Sequence, residues 1–169
     1  MSDMTGEDAI DRLGRLMRAG ATANPDGELL SGLPHSHELG MRLHLAEDGV
    51  AILSVPYAER LVGDPQTGVL HGGVVTALLD TACGTAVMAV REKLKATATL
   101  DLRIDYMRPA TRGLAVFAWA ECYRLTRAIG FARAVAYHED PADPVASAAG
   151  AFMLDRPSDR PSRAEGAAP

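Results

Sequence analysis

The sequence predicts an α+β fold in which one long apolar helix is wrapped by an antiparallel sheet. Three observations predict it. Residues 72–93 read as one long helix around the longest apolar run, residues 97–106 alternate apolar with polar, and three more β-like runs follow between turn signals. A helix that is apolar nearly all round must be buried, and here only a sheet can cover it. Strands joined in succession by turns make a meander the natural topology.

Composition sets the class. At 169 residues, 47% hydrophobic and 23% charged, the chain is most simply one globular domain with a real core. A net charge of -5 argues against a nucleic-acid partner, though not against a small anion held in a local basic pocket. Cys83 and Cys122 sit in apolar segments without metal-ligand spacing, which predicts reduced core thiols in a cytosolic protein. The N-terminal "MSDMTGEDAIDRLGRLM" carries acids early and no continuous apolar stretch, so it is not read as a secretory signal. Thr76, Asp80, Thr81 and Thr85 interrupt the apolar run at 74–90, which argues against a membrane span. A cytoplasmic protein with no membrane partner is expected.

The elements follow in order. In residues 5–19, Ile10, Leu13, Leu16 and Met17 recur at helical spacing, with acids early and Arg15 and Arg18 late, predicting an extra, amphipathic N-terminal helix. "AGATANPDGELLSGLPHSHE" reads as a loop, closing an N-terminal region of residues 1–36. "LGMRLHLAEDGVAILSVP" opens the main domain, residues 37–154, with two β-like runs around a Glu47-Asp48-Gly49 turn. "YAERLVGDPQTGVL" reads as an irregular connection to the helix. After the helix, Ala98, Leu100, Leu102 and Ile104 are expected on one face of a half-buried strand, and Thr97, Thr99, Asp101, Arg103 and Asp105 on the other. "GLAVFAWAECYRL", "GFARAVAYHED" and "PVASAAGAFML" supply three more strands. The tail, residues 155–169, is polar and Pro-rich and is expected to be disordered.

The chemistry concentrates in "GVLHGGVVTALLDTACG", residues 68–84. A helix starting after His71 leaves the amides of Gly72, Gly73 and Val74 without intrahelical partners, at the positive end of its dipole. Such an end can hold an anion or the oxygen of a carbonyl under attack. The plain alternative is a tight turn whose glycines serve geometry alone. Asp80 tips the balance. Burying a carboxylate among Leu78, Leu79, Ala82 and Cys83 costs several kcal/mol unless it is partnered. Either it makes a structural hydrogen bond to Thr76 or Thr81, or it lines a cleft as general base or nucleophile, its pKa raised by the apolar setting. The functional reading is preferred.

Geometry adds a condition. Gly72 and Asp80 are eight residues apart, about 12 Å along a helix axis. A base acting through one water must lie much closer to the carbonyl. Two copies of the helix related by a two-fold axis can bring the glycines of one chain to the aspartate of the other. The site asks for a homodimer.

"TGVLHGGVVTALLDTACG" followed by "TLDLRIDYMRPA" resembles the hotdog-fold acyl-CoA thioesterases of the PaaI-like, phenylacetate-degradation type. The H-G-G, the Asp nine residues after the His, and the Thr–strand–Tyr–x–x–Pro segment occur in order, and the likeness covers roughly residues 37–154. It implies a long helix wrapped by a curved antiparallel sheet, protomers that join their sheets, and often a dimer of dimers. It implies that Asp80 activates water or attacks the thioester, and that the Gly72 amide, with Gly73 beside it, polarises the thioester oxygen. His71 would position the loop, and Thr99 would place the attacking water. Many relatives carry an Asn six residues before the His, where this chain has Pro65. Gln66 or Asp64 could replace it, and Gln66 is the better donor because its amide bears N–H groups.

The remaining candidates weigh less. No G-x-S-x-G or phosphate-loop glycine pattern appears. His35 and His37, with His44 nearby, read as solvated loop residues rather than metal ligands, and His138 as a surface or turn residue. Thr81 is a candidate substrate contact. Arg91, with Lys93 and Lys95, complements the helix dipole or holds coenzyme A phosphates, and Arg108 and Arg112 are equal candidates for the phosphates. No cofactor or metal is expected. A non-catalytic acyl-CoA-binding hotdog protein is the alternative to hydrolysis. A hydratase comes third, because its Asp–His pairing is not evident.

Overall fold

The structure, a computed structural model, describes residues 33–90 and 96–155. The helix expected over 5–19, residues 156–169 of the expected tail, and Arg91, Lys93 and Lys95 lie outside these residues, whereas Asp155, expected in the tail, ends the last strand.

In chain order the elements are α1 (Pro34–Glu38), β1 (Arg42–Glu47), β2 (Val50–Val55), a 3-10 turn (Glu59–Leu61), β3 (Val62–Asp64) and β4 (Val69–Leu70). The long helix α2 (Gly72–Met88) is followed by β5 (Ala96–Tyr106), β6 (Val116–Leu125), β7 (Ile129–Tyr137) and β8 (Ala146–Asp155). Six strands form one sheet in the order β1-β2-β6-β7-β8-β5, and every neighbouring pair is antiparallel. The expected β6-β7-β8 meander is its centre. Asp48 (φ 47) and Gly49 (φ 77) turn β1 into β2 with both residues left-handed, the geometry that suits the twist of a tight hairpin.

Two stretches read as irregular contain structure. His35 and His37 stand on α1 rather than in a loop. The connection before α2 folds into the small β3–β4 hairpin. Short elements like these carry too few residues for a periodic pattern to register.

Alternation places α2. Residues Ala118, Ala120, Ala132, Ala134, Ala136, Ala146 and Ala148 point to the inner face of the sheet and are buried under the helix. Small side chains there let the helix approach closely. Leu78 and Leu79 are fully buried in the seam, each contributing about 1.5–3 kcal/mol by removal from water. Gly130 lies so near that an added Cβ would stand 2.5 Å from Val87 Cγ1.

The helix is shorter than expected, ending at Met88. The Gly49 amide takes the Ala89 carbonyl at 3.3 Å, so the β1–β2 hairpin occupies an acceptor that a further turn would have used. Strand β5 also departs from simple alternation. Its register with β8 shifts between Thr99 and Asp101, leaving Leu100 as a bulge. Ahead of the bulge Thr97 and Thr99 face the helix; beyond it Leu102 and Ile104 pack against the core. Leu100 is turned out, 53% exposed, which corrects the expectation that it shares a face with Leu102.

Two measurements test this packing. An added Cβ at Gly150 would lie 2.5 Å from the Asp101 carbonyl oxygen, beside the bulge. Gly150→Ala should therefore cost about 1–3 kcal/mol in urea unfolding, and an unchanged midpoint would contradict the register. Burial pushes the Cys83 thiol up from 9.0 to about 12, with the nearby Asp80 adding to it, and pushes the Tyr137 phenol up from 10.0 to about 12. Both groups are held neutral, so their stabilisation is complete below pH 9 and is lost as pH rises towards 12. The urea midpoint should fall across that window.

Candidate active site

The β3–β4 hairpin fixes the start of α2. Asp64 organises its turn, accepting the Gln66 amide at 3.0 Å on Oδ1 and the Thr67 hydroxyl at 2.7 Å on Oδ2. Those bonds hold its carboxyl below the usual range, the Thr67 hydroxyl first among them. Gly68 closes the turn at φ 73, its amide donating to the Asp64 carbonyl at 2.8 Å. Gly63 passes so close to His71 that a Cβ would lie 2.8 Å from the His71 Cα. The His71 amide donates to the Leu61 carbonyl at 2.9 Å, tying the helix start to the 3-10 turn.

His71 is the N-cap. Its Nδ1 accepts the Gly73 amide at 2.9 Å, and its carbonyl accepts the Val74 amide at 2.9 Å. Two of the three amides expected to be open are therefore used inside the cap. Among the described residues, the Gly72 amide at the exposed first position has no partner in the chain.

A residue with no expected role holds this end from above. The Tyr106 hydroxyl donates to the Gly72 carbonyl at 2.6 Å and meets Thr76 Oγ1 at 2.9 Å. The phenol has one proton, so Thr76 is the donor in the second contact. The available signal was a Tyr at the end of the strand, but its facing could not be read without the bulge at Leu100.

Asp80 lies on the side of α2 that the sheet leaves open. Thr76, Ala77, Asp80 and Thr81 form a half-exposed stripe down from Gly73, while Leu78, Leu79, Ala82 and Cys83 are buried elsewhere around the helix. Asp80 is thus half-buried, not enclosed as its neighbours suggested. Its Oδ1 accepts the Thr99 hydroxyl at 2.8 Å. The alternative partners are engaged elsewhere: Thr76 with Tyr106, and Thr81 with the Ala77 carbonyl at 2.8 Å. Thr81 therefore closes a bond within its own helix.

Other candidates take structural posts. Gln66 is exposed at the hairpin turn, and both Asp64 oxygens serve as acceptors there. Arg108 forks onto Asp143, with Nε 3.1 Å from Oδ1 and a guanidinium nitrogen 3.0 Å from Oδ2. Arg112 lies across Gly68 and reaches Glu59 at 3.4 Å. His138 is buried, not at the surface: its Nε2 accepts the Thr111 amide at 2.9 Å and its Nδ1 donates to the Ala115 carbonyl at 2.7 Å. That bridge ties the chain ahead of β6 to the end of β7. Among the described residues no three His, Cys, Asp or Glu side chains cluster to hold a metal, and no helix is long and apolar enough to cross a membrane.

Two clefts flank the helix start. One, about 400 Å³, runs beside Gly72 between Val69, Leu70, Val75, Tyr106 and Met107. The other, about 480 Å³, opens on the His71–Gly73 side and is bordered by His35, Leu39, Arg60 and Val62.

The chain is similar to known proteins in sequence and fold. The family model described as the thioesterase superfamily matches residues 67–145, from the hairpin turn to the start of β8. The medium/long-chain acyl-CoA thioesterase YigI of Salmonella typhimurium is 30% identical over 135 residues, covering 72% of this chain and 86% of its own. A crystal structure from Pseudomonas aeruginosa is 44% identical with a TM-score of 0.68, covering 73% of this chain and 92% of its own. A variant of the phenylacetic acid degradation protein PaaI from Thermus thermophilus is 27% identical with a TM-score of 0.62, covering 71% of this chain and 97% of its own. With the H-G-G start of α2, the acid on its open stripe and the helix-in-sheet architecture now in view, the chain belongs to the thioesterase superfamily and has the hotdog fold.

Proposed function

We propose that this thioester hydrolase acts on acyl-CoA, releasing free CoA and a carboxylic acid, with Asp80 as general base and the Gly72 amide as oxyanion donor. The bond between Thr99 and Asp80 carries the reading. It fixes a carboxylate on the open side of α2 and leaves its second oxygen for a water. That water adds to the thioester carbonyl as Asp80 takes its proton. Negative charge builds on the carbonyl oxygen, where the Gly72 N–H and the positive helix end stabilise it. Collapse breaks the C–S bond, and the proton held by Asp80 passes to the departing thiolate. His71 serves as a positioning residue, because its cap at Gly73 sets where the Gly72 amide points.

The working unit in this reading is a homodimer. Gly72 and Asp80 stand about 12 Å apart along α2, too far to serve one carbonyl. Strand β5 supplies the remedy. It is the edge of the six-stranded sheet, and it carries Thr99, bonded to Asp80, near one end and Tyr106, bonded to Gly72, at the other. Antiparallel pairing of β5 with its two-fold copy sets Thr99 of one protomer beside Tyr106 of the other. Each site then takes its acid from one chain and its amide from the other. Whether such pairs associate further into tetramers depends on other surfaces.

The cleft beside Gly72, lined by Val69, Leu70, Val75 and Met107, suits an aliphatic acyl chain. The likeness to YigI, named for medium and long chains, favours the same class here. Gln66 stands in the turn where many relatives carry the polarising Asn, and its side-chain N–H groups make it the second donor in this reading. For the coenzyme A phosphates the preferred cation is Arg91, since Arg108 is held by Asp143.

Asp80→Asn should lower kcat by about a hundredfold or more while the protein still binds a non-hydrolysable acyl-CoA analogue, as thiol release and calorimetry would show. Activity within threefold of the parent would return Asp80 to a structural role. Tyr106→Phe removes both hydroxyl contacts at the helix start and should reduce kcat more than it raises KM, because the oxyanion interaction strengthens in the transition state. Sedimentation should give a dimer or larger; a fully active monomer would end the shared-site reading.

A further inference from the structure

The face of the main sheet turned away from α2 carries a second apolar cluster. Strand registers put Leu45, Ile52, Trp119 and Val135 in one row across β1, β2, β6 and β7. Phe117 and Tyr137 make the neighbouring row, with the His44 ring 5.5 Å from Phe117. A sheet face open to water leaves such side chains substantially exposed. These are not: Trp119 is 4% exposed and Ile52 6%, and Glu121 in the flanking row is also 6%. Among the described residues no helix packs there. The long helix α2 covers the opposite face, and α1 sits beside the start of α2. The Trp119 indole N–H, in the middle of the row, has no acceptor among the described residues.

We infer that residues 5–19 of this same chain dock on that outer face. The apolar positions Ile10, Leu13, Leu16 and Met17 recur at the spacing of one helix face, an unpartnered stripe that needs a surface of this kind. The shapes agree. Four adjacent strands span about 14 Å between outer strands, and a helix of this length is about 22 Å long and 10 Å wide. The cluster is confined to that half of the sheet, since its central row continues into Ser147 of β8 and Asp105 of β5. Position agrees too. Residues 1–32 precede Leu33, and the chain then enters β1, the strand that contributes Leu45 to the row. Docked there, the segment denies this face to a second copy, so any association beyond a β5-joined pair must use another surface.

Trp119 is the only tryptophan, so the full-length protein reports on the face directly. Its emission should be blue-shifted, poorly quenched by acrylamide and independent of protein concentration. Leu13→Asp combined with Leu16→Asp should move the emission to the red and raise quenching several-fold, leaving circular dichroism and thiol release near the parent values. If the double variant does not fold, Leu13→Ala should give a smaller shift in the same direction. Emission unmoved by either variant would overturn the inference. Burial of Trp119 that appears only as concentration rises would assign the face to a second copy. Quenching in the parent as efficient as that of free indole would show the face to be open, and the inference would fall.

Discussion

Everything else in this fold depends on the seating of α2 against a sheet face built largely of alanine. Bulky side chains there would hold a helix off; methyl groups on Ala118, Ala120, Ala132, Ala134, Ala136, Ala146 and Ala148 let it settle. Gly130 permits a still closer approach, against Val87. Burial on this face orients the helix, because Leu78, Leu79, Ala82 and Cys83 can be hidden only in one rotational setting. That setting leaves Thr76, Asp80 and Thr81 on the open side. The hydrophobic contact thus selects which polar groups can do chemistry.

The second constraint is polar accounting at the helix start. Of the amides there, Gly73 is taken by the His71 ring and Val74 by the His71 carbonyl. The Gly72 carbonyl is taken by Tyr106, whose hydroxyl is itself held by Thr76. A group held by neighbours on all sides keeps its direction without reorganising, which is what a donor to a developing oxyanion requires. The hairpin around Asp64 and Gly68 belongs to the same scaffold, since it delivers His71 at a fixed angle.

In the proposed mechanism the reagents are divided along one helix, with an amide at its end and an acid two turns on. The edge strand runs past both, through Thr99 and Tyr106. In the proposed dimer the sheet edge therefore assembles the site as well as joining the chains. It also gives a use to an exposed, eleven-residue edge that would otherwise invite unwanted pairing.

Residue order alone was enough for the fold class, the hairpin at Asp48-Gly49, the order of the last three strands and the attention drawn to His71, Gly72 and Asp80. Each rests on local information: a period, a turn pair, a motif of fixed spacing. What stayed open depended on contacts distant in the chain. The partner of Asp80 is nineteen residues away and faces the helix only because a bulge at Leu100 resets the alternation of β5. Tyr106 reaches Gly72 across thirty-four residues. The commitment of Arg108 to Asp143, the burial of His138 and the early end of α2 against Gly49 are likewise pairings that no local pattern encodes. Periodicity reports which face of an element is apolar; only the packed chain decides which polar groups meet.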